Sequence, residues 1–245
     1  MTASEDKHIP ASLMAAMRPV TIICGHYGTG KTNLTVNLAC DLAAAGHKAT
    51  VIDLDIVNPY FRASEQRELL EGKGVRLIAP VFAERGTSLD VPSLTGAIAP
   101  AIADAKAGEY VLIDLGGDDV GSAALGRFAL TVAEHEYAML AVINRHRNLT
   151  QEPAEVLENL REIEVASRLR ATALVDNAHL KNLTTVKALA DPEGFATEVS
   201  RLTGLPLVAK TYPDCLAQGQ MGELGNIAEK SMLYPVHLYV KNPWE

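Results

Sequence analysis

The segment VTIICGHYGTGKTN, residues 20–33, constrains this chain more than any other. A largely apolar, β-branched run ends at Cys24. Gly25-His26-Tyr27-Gly28-Thr29-Gly30-Lys31-Thr32 then satisfies the spacing G-x-x-x-x-G-K-[ST]. From Asn33 onward Leu34, Leu38 and Leu42 recur four apart, which predicts a helix over 31–45. Glycines let backbone wrap closely around an anion, and the amides at a helix start point at it with the helix dipole behind them. In that geometry Lys31 reaches the β- and γ-phosphates of a nucleotide, and the Thr32 hydroxyl binds Mg²⁺. A glycine-rich turn that matches by accident is the competing explanation, and the strand before and helix after count against it.

Val- and Ile-rich runs recur along the chain with helical patterns between them, the signature of a parallel sheet covered on both faces. Strands are predicted at 20–24, 49–53, 75–79, 110–114, 137–143, 171–176, 206–210 and 236–240. Helices are predicted at 31–45, 62–71, 93–107, 121–134, 151–168, 184–201 and 218–232. The fold class that follows is α/β, a three-layer, doubly wound, mostly parallel sheet. No repeat or Pro/Gly/Ser linker marks a domain boundary, so residues 19–245 read as one nucleotide-binding domain. Residues 1–18 read as an N-terminal extension dispensable to the sheet. In such folds ligands bind beyond the carboxyl ends of the strands, so the segments after Cys24, Asp53, Asp114, Ile143 and Asp176 are expected to share one rim.

A formal net charge of −8 over 245 residues argues against a general nucleic-acid or acidic-membrane surface, which needs clustered Lys and Arg. Cys24, Cys40 and Cys215 are too widely spaced for a zinc, iron–sulfur or dithiol site, and read as reduced residues. With no secretory or membrane-spanning stretch near the start, a cytoplasmic location is expected.

Two further segments carry chemistry. VLIDLGGDD ends a strand in Asp114, a carboxylate that can hold Mg²⁺ directly or through water, and Gly116 or Gly117 can offer an amide to a γ-phosphate. VIDLDIVNPYFR places Asp53 at a strand end and Asp55 two residues on, near Asn58 and Pro59. Both carboxylates can approach a metal and an attacking water there, and two carboxylates at one rim favour a cation between them. Capping of a turn is the alternative role for each Asp. His146 and His179 lie in loops without metal-ligand spacing.

These three motifs, in this order, resemble the Min- and Par-type ATPases of the SIMIBI class of P-loop proteins, a group that includes cobyrinate-synthase-like domains. The resemblance covers about residues 19–210. It implies ATP with Mg²⁺, slow hydrolysis, and two mobile segments, 53–62 and 114–127, that sense the γ-phosphate. Together the three motifs give metal ligation by Thr32, Asp53 and Asp114, catalysis by Lys31 and Asp55, and nucleotide contacts along the loop from Gly25 to Asn33. Family members of the deviant loop type carry a lysine where this chain has His26, and that lysine reaches across a nucleotide-sandwiched homodimer. A neutral imidazole supplies no fixed charge there. Arg62, Arg127, Arg145 and Arg147 are the substitute charge donors, or surface residues. Neither NRHR at Asn144 nor NAHL at Asn177 carries the Asp that guanine recognition uses, so ATP is favoured. Asn177 resembles the family's adenine-contacting asparagine, and Pro213 is placed to pack near the ring; a strand-end turn explains either residue as well.

The sequence thus predicts a Mg²⁺-ATP-binding switch that acts on an unidentified protein partner, with a nucleotide-dependent homodimer as one arrangement. Two alternatives stand beside it. One is an ATP-dependent ligase or phosphotransferase of the dethiobiotin-synthase type, its acceptor pocket built from 58–62 and GGDDVGS. The other is a nucleotide-binding adaptor that does not hydrolyse.

Overall fold

A computed structural model describes residues 9–55, 62–79, 96–117, 119–190, 194–216 and 230–240. Eight strands form one sheet: β1 Val20–Cys24, β2 Lys48–Leu54, β3 Arg76–Ile78, β4 Glu109–Leu115, β5 Tyr137–Ile143, β6 Ala173–Asp176, β7 Leu207–Pro213 and β8 Leu233–Val236. Their order is β3-β2-β4-β1-β5-β6-β7-β8, and every pairing is parallel. β1 lies between β4 and β5, where the winding of the chain reverses. The segment leaving β1 therefore emerges at the crevice where such sheets bind ligands.

Side-chain alternation divides the core into two layers. Ile22, Ile52 and Ile113 face one way and pack with Ile98 and Ile102 of α4 (Ile98–Ala103), Leu125 of α5 (Asp119–Gly126), Leu160 of α7 (Pro153–Ser167) and Val199 of α9 (Phe195–Thr203). Their neighbours Ile23, Val51 and Leu112 face the other way. They meet Leu13 of α1 (Ala11–Ala16), Leu34 and Leu38 of α2 (Lys31–Ala44), and Leu70 of α3 (Arg67–Gly72). A sheet buried on both faces explains why β1 reads as a continuous apolar run. The short helices α6 (Ala129–Ala133) and α8 (Val186–Leu189) complete the set named here.

Several boundaries differ from the sequence expectation for local reasons. The helix expected over 62–71 begins as a 3₁₀ turn, Ala63–Gln66, because the Ser64 amide donates to Asp53 Oδ2 at 2.9 Å. The helix expected over 121–134 is divided between α5 and α6, and that over 184–201 between α8 and α9. The last strand lies at Leu233–Val236 rather than 236–240, because the backbone after it bonds to α2 side chains instead of a neighbouring strand. The helix expected over 218–232 falls outside the described residues except for a 3₁₀ turn, Lys230–Met232. Leu13, in the segment read as dispensable, is fully buried in the α2-side core, and Ser12 Oγ donates to Val208 O at 2.7 Å.

Candidate nucleotide site

The loop after β1 is held from within. The Thr29 amide and hydroxyl donate to His26 O at 3.3 and 2.9 Å, and Lys31 Nζ donates to the same carbonyl at 3.0 Å. Gly30 caps α2 with φ +96°, and no side chain bonds to the first-turn amides. By contrast, α7 closes its start with a Glu152/Glu155 capping box and Pro153. The unsatisfied amides of α2 thus remain directed at whatever the loop encloses. Gly30 also lies against Asn177, whose Nδ2 a Cβ there would meet.

A cavity of about 260 Å³ opens above this loop. Tyr27, Gly28, Thr29, Gly30, Lys31 and Thr32 line one part of it, together with Asn33 and Asp55. Asn144, Arg147, Asn177, His179 and Lys181 line another, from the loops after β5 and β6, and Leu238 and Val240 add an apolar wall. Among the substitute charge donors, Arg147 lines the cavity, whereas Arg127 is exposed and Arg62 is buried elsewhere. Arg145 stands over the Phe195 ring at 5.9 Å.

At the β2/β4 side Asp53 and Asp114 are register partners on adjacent strands, and both are fully buried. Asp53 Oδ1 accepts from the Asp55 amide at 3.0 Å and Oδ2 from the Ser64 amide, so it anchors the turn that follows β2. Asp114 is more poorly served. Thr35 Oγ1 stands 3.2 Å from Asp114 Oδ1 and 3.0 Å from Lys31 O, and shares one proton between them. Asp114 Oδ2 is buried with no hydrogen-bond partner. Burial and the neighbouring Asp53 charge push the Asp114 pKa up to about 7, against the pull of Thr32 and Lys31. An orphaned carboxylate oxygen beside a second carboxylate and a hydroxyl is a hard, all-oxygen donor set, and it fits Mg²⁺.

Other expected residues take different places. Among the described residues no three Asp, Glu, His or Cys side chains converge as a metal site, so Asp55 does not join Asp53 and Asp114 in one cluster; it lines the cavity instead. Gly117 presses against the loop: a Cβ there would lie 2.6 Å from the Tyr27 amide nitrogen and 2.9 Å from Lys31 Nζ. Gly25 packs against the Val142 carbonyl. His26 lines a small void with Val156, Asn159 and Leu160 of α7 rather than the main cavity, and burial and Lys31 lower its pKa, keeping it neutral. Asn58 and Pro59 lie outside the described residues.

Asn177, expected at the base end, lines the cavity and also braces the loop. Asn177 Nδ2 donates to Thr29 O at 2.6 Å and its Oδ1 accepts from Thr211 Oγ1, so the carboxamide ties the glycine loop to β7. Pro213 is not among the lining residues, whereas Leu238 and Val240 are. They are held by Asn33, whose Oδ1 accepts from the Tyr239 and Val240 amides at 2.9 and 3.3 Å, and by Asn37, which exchanges two bonds with the His237 backbone. Asn33 therefore both lines the cavity and holds this segment. Sequence reasoning missed His179 and Leu238. The signal for His179 was its place three residues beyond the end of β6.

A glycine loop between β1 and α2, beside two strand-end carboxylates in an all-parallel sheet, defines a nucleotide-binding P-loop protein of the SIMIBI class. The chain belongs to the CobQ/CobB/MinD/ParA nucleotide binding domain family, whose sequence profile matches residues 20–186. No curated protein sequence matches it. Among solved structures it is similar to the signal recognition particle 54 kDa protein from Aeropyrum pernix K1 in complex with GDP, at 16% identity and TM-score 0.52, covering 84% of this chain and 46% of that one. Chloroplast FtsY from Physcomitrella patens is similar at 18% identity and TM-score 0.52, covering 78% and 57%. FtsY from Mycoplasma mycoides is similar at 18% identity and TM-score 0.50, covering 77% and 57%. This chain spans about half the length of those structures, and the likeness is one of fold. Among the described residues no helix is long and apolar enough to cross a membrane.

Proposed function

We propose that this chain binds ATP with Mg²⁺ at the glycine loop, hydrolyses it slowly, and uses the bound nucleotide to set the conformation of segments 53–62 and 114–127. A partner protein, or a second copy of the chain, reads that conformation. The observation that carries the reading is the seat of Gly117 against Tyr27 and Lys31 Nζ. Lys31 is the group that addresses a γ-phosphate, so a phosphate arriving there acts directly on the start of the second segment.

ATP is preferred to GTP because the described lining residues from the loops after β5 and β6, Asn144, Arg147, Asn177, His179 and Lys181, include no carboxylate to accept the guanine N1–H and amino group. The loop amides and Lys31 stabilise charge on the transferring phosphoryl group. Mg²⁺ held by Thr32 and Asp114, with Asp53 beside them, would neutralise charge on the phosphate oxygens. Asp55, in the cavity wall, orients the attacking water.

Single-turnover hydrolysis tests this assignment. Asp55→Asn is expected to slow ATP cleavage at least ~10-fold while changing ATP affinity less than about threefold. An unchanged cleavage rate removes Asp55 from the chemistry.

A further inference from the structure

Only four buried side-chain polar atoms among the described residues lack a hydrogen-bond partner, and two of them belong to residues lining the nucleotide cavity away from the carboxylates: Arg147 Nε and His179 Nε2. A buried N–H without an acceptor is costly, and its persistence beside an open cavity points to an acceptor supplied by a ligand. Arg147 stands by the glycine loop, its Cδ 3.7 Å from where a Gly28 Cβ would sit, which places it on the phosphate side. His179 stands on the loop after β6 and is 5% exposed.

The tautomer of His179 follows from its neighbours. The Lys181 backbone amide donates to Nδ1 at 3.2 Å, and a backbone N–H cannot accept, so Nδ1 carries no proton. The neutral ring then bears its hydrogen on Nε2, which becomes a donor only. Burial, with Arg147, Lys181 and His146 close by, lowers the pKa to about 4, so the ring stays neutral through the physiological range. The backbone is fixed as well: the His179 amide donates to Asn177 O at 2.7 Å, and Asn144 Nδ2 donates to His179 O at 3.3 Å. Asn177 itself is committed to Thr29 and Thr211. A rigid, single-sense donor is thus presented to the cavity that Leu238 and Val240 also line.

We propose that His179 is the base-reading residue of this site, its Nε2–H donating to an unprotonated ring nitrogen of the bound purine. The proposal rests on a nucleotide occupying the cavity, but not on which purine is preferred, because adenine and guanine both present N3 and N7 as acceptors.

The test is calorimetric titration of the full chain with Mg²⁺ and ATP, GTP, and the 3-deaza and 7-deaza forms of the tighter binder, with 1-deaza-ATP added if that is ATP. In the wild type, one deaza form is expected to bind about 5- to 50-fold more weakly than its parent, the cost of leaving a buried donor unmet. In His179→Phe the parent weakens by a similar factor and that deaza form then matches it within about twofold, whereas His179→Gln, which keeps an amide donor, recovers part of the difference. If every deaza form binds wild type like its parent, or the same form is weakened equally in wild type and His179→Phe, His179 does not read the base. Absence of binding by any nucleotide to the wild type overturns the nucleotide reading together with this one, and so separates the two failures.

Discussion

Asp114→Asn is expected to make the nucleotide-free protein more stable while impairing its binding of Mg²⁺ and nucleotide. The fold holds this carboxyl with one oxygen unpartnered and Asp53 alongside, which raises its pKa from 3.8 to about 7. A carboxyl whose folded pKa is raised contributes stability that is fully present below its unfolded pKa and is lost as pH rises through the folded value. Three pH units correspond to ~4 kcal/mol, so at pH 8 the ionised group destabilises the apo fold by up to about that much, and at pH 5 by only ~1–2 kcal/mol. Asparagine has nearly the same shape and no charge. Urea denaturation of both proteins without nucleotide, at pH 5 and pH 8, measures the difference directly, because the other titrating groups are common to both. The variant should gain more at pH 8 than at pH 5. A variant less stable than wild type at pH 8, or a difference independent of pH, would refute the argument that Asp114 is a strained charge awaiting a cation.

Two further outcomes test how the site is supported. Leu13→Ala should destabilise the protein by about 2–5 kcal/mol, since Leu13 is fully buried; a loss under ~1 kcal/mol in urea titration would return α1 to the status of an appendage. Asn37→Ala removes both bonds to the His237 backbone and should cost ~1–3 kcal/mol, with faster hydrogen exchange at the His237 amide while β1 stays protected; unchanged exchange would mean that the segment is held by other contacts.

The parts of the site that rest on local pattern were legible in the sequence. The glycine loop, Lys31, Thr32 and the strand-end carboxylates Asp53 and Asp114 are each announced by an apolar run that stops at a residue of the right chemistry. The doubly wound sheet followed from strands alternating with helices, and it is observed with every described pairing parallel. What escaped depends on contacts across the chain. Asn37 looks like an ordinary helix residue and Asn33 like the end of the loop until the backbone of 237–240, some two hundred positions later, is seen bonded to both. Asn177 sits where a base contact is expected, but only the approach of Thr29 and Thr211 reveals that its amide is already engaged. His179 is marked only by its place just beyond β6; its orphaned Nε2 becomes visible only once burial is known. The helix boundaries moved for the same reason, as at Ser64, where a carboxylate from another strand dictates the turn.

The most direct test of the central claim is titration of ATP and GTP, with and without Mg²⁺, into the wild type and Lys31→Ala. Lys31 is buried at the loop, and its loss removes a charge-assisted contact of about 1.5–3 kcal/mol to the phosphates. The account predicts that ATP binds the wild type at least ~10-fold more tightly than GTP, a gap of about 1.4 kcal/mol, that Mg²⁺ strengthens this binding, and that Lys31→Ala weakens it at least ~10-fold. Equal affinities for ATP and GTP would contradict the choice of base, and equal affinities of wild type and Lys31→Ala for ATP would contradict the site itself.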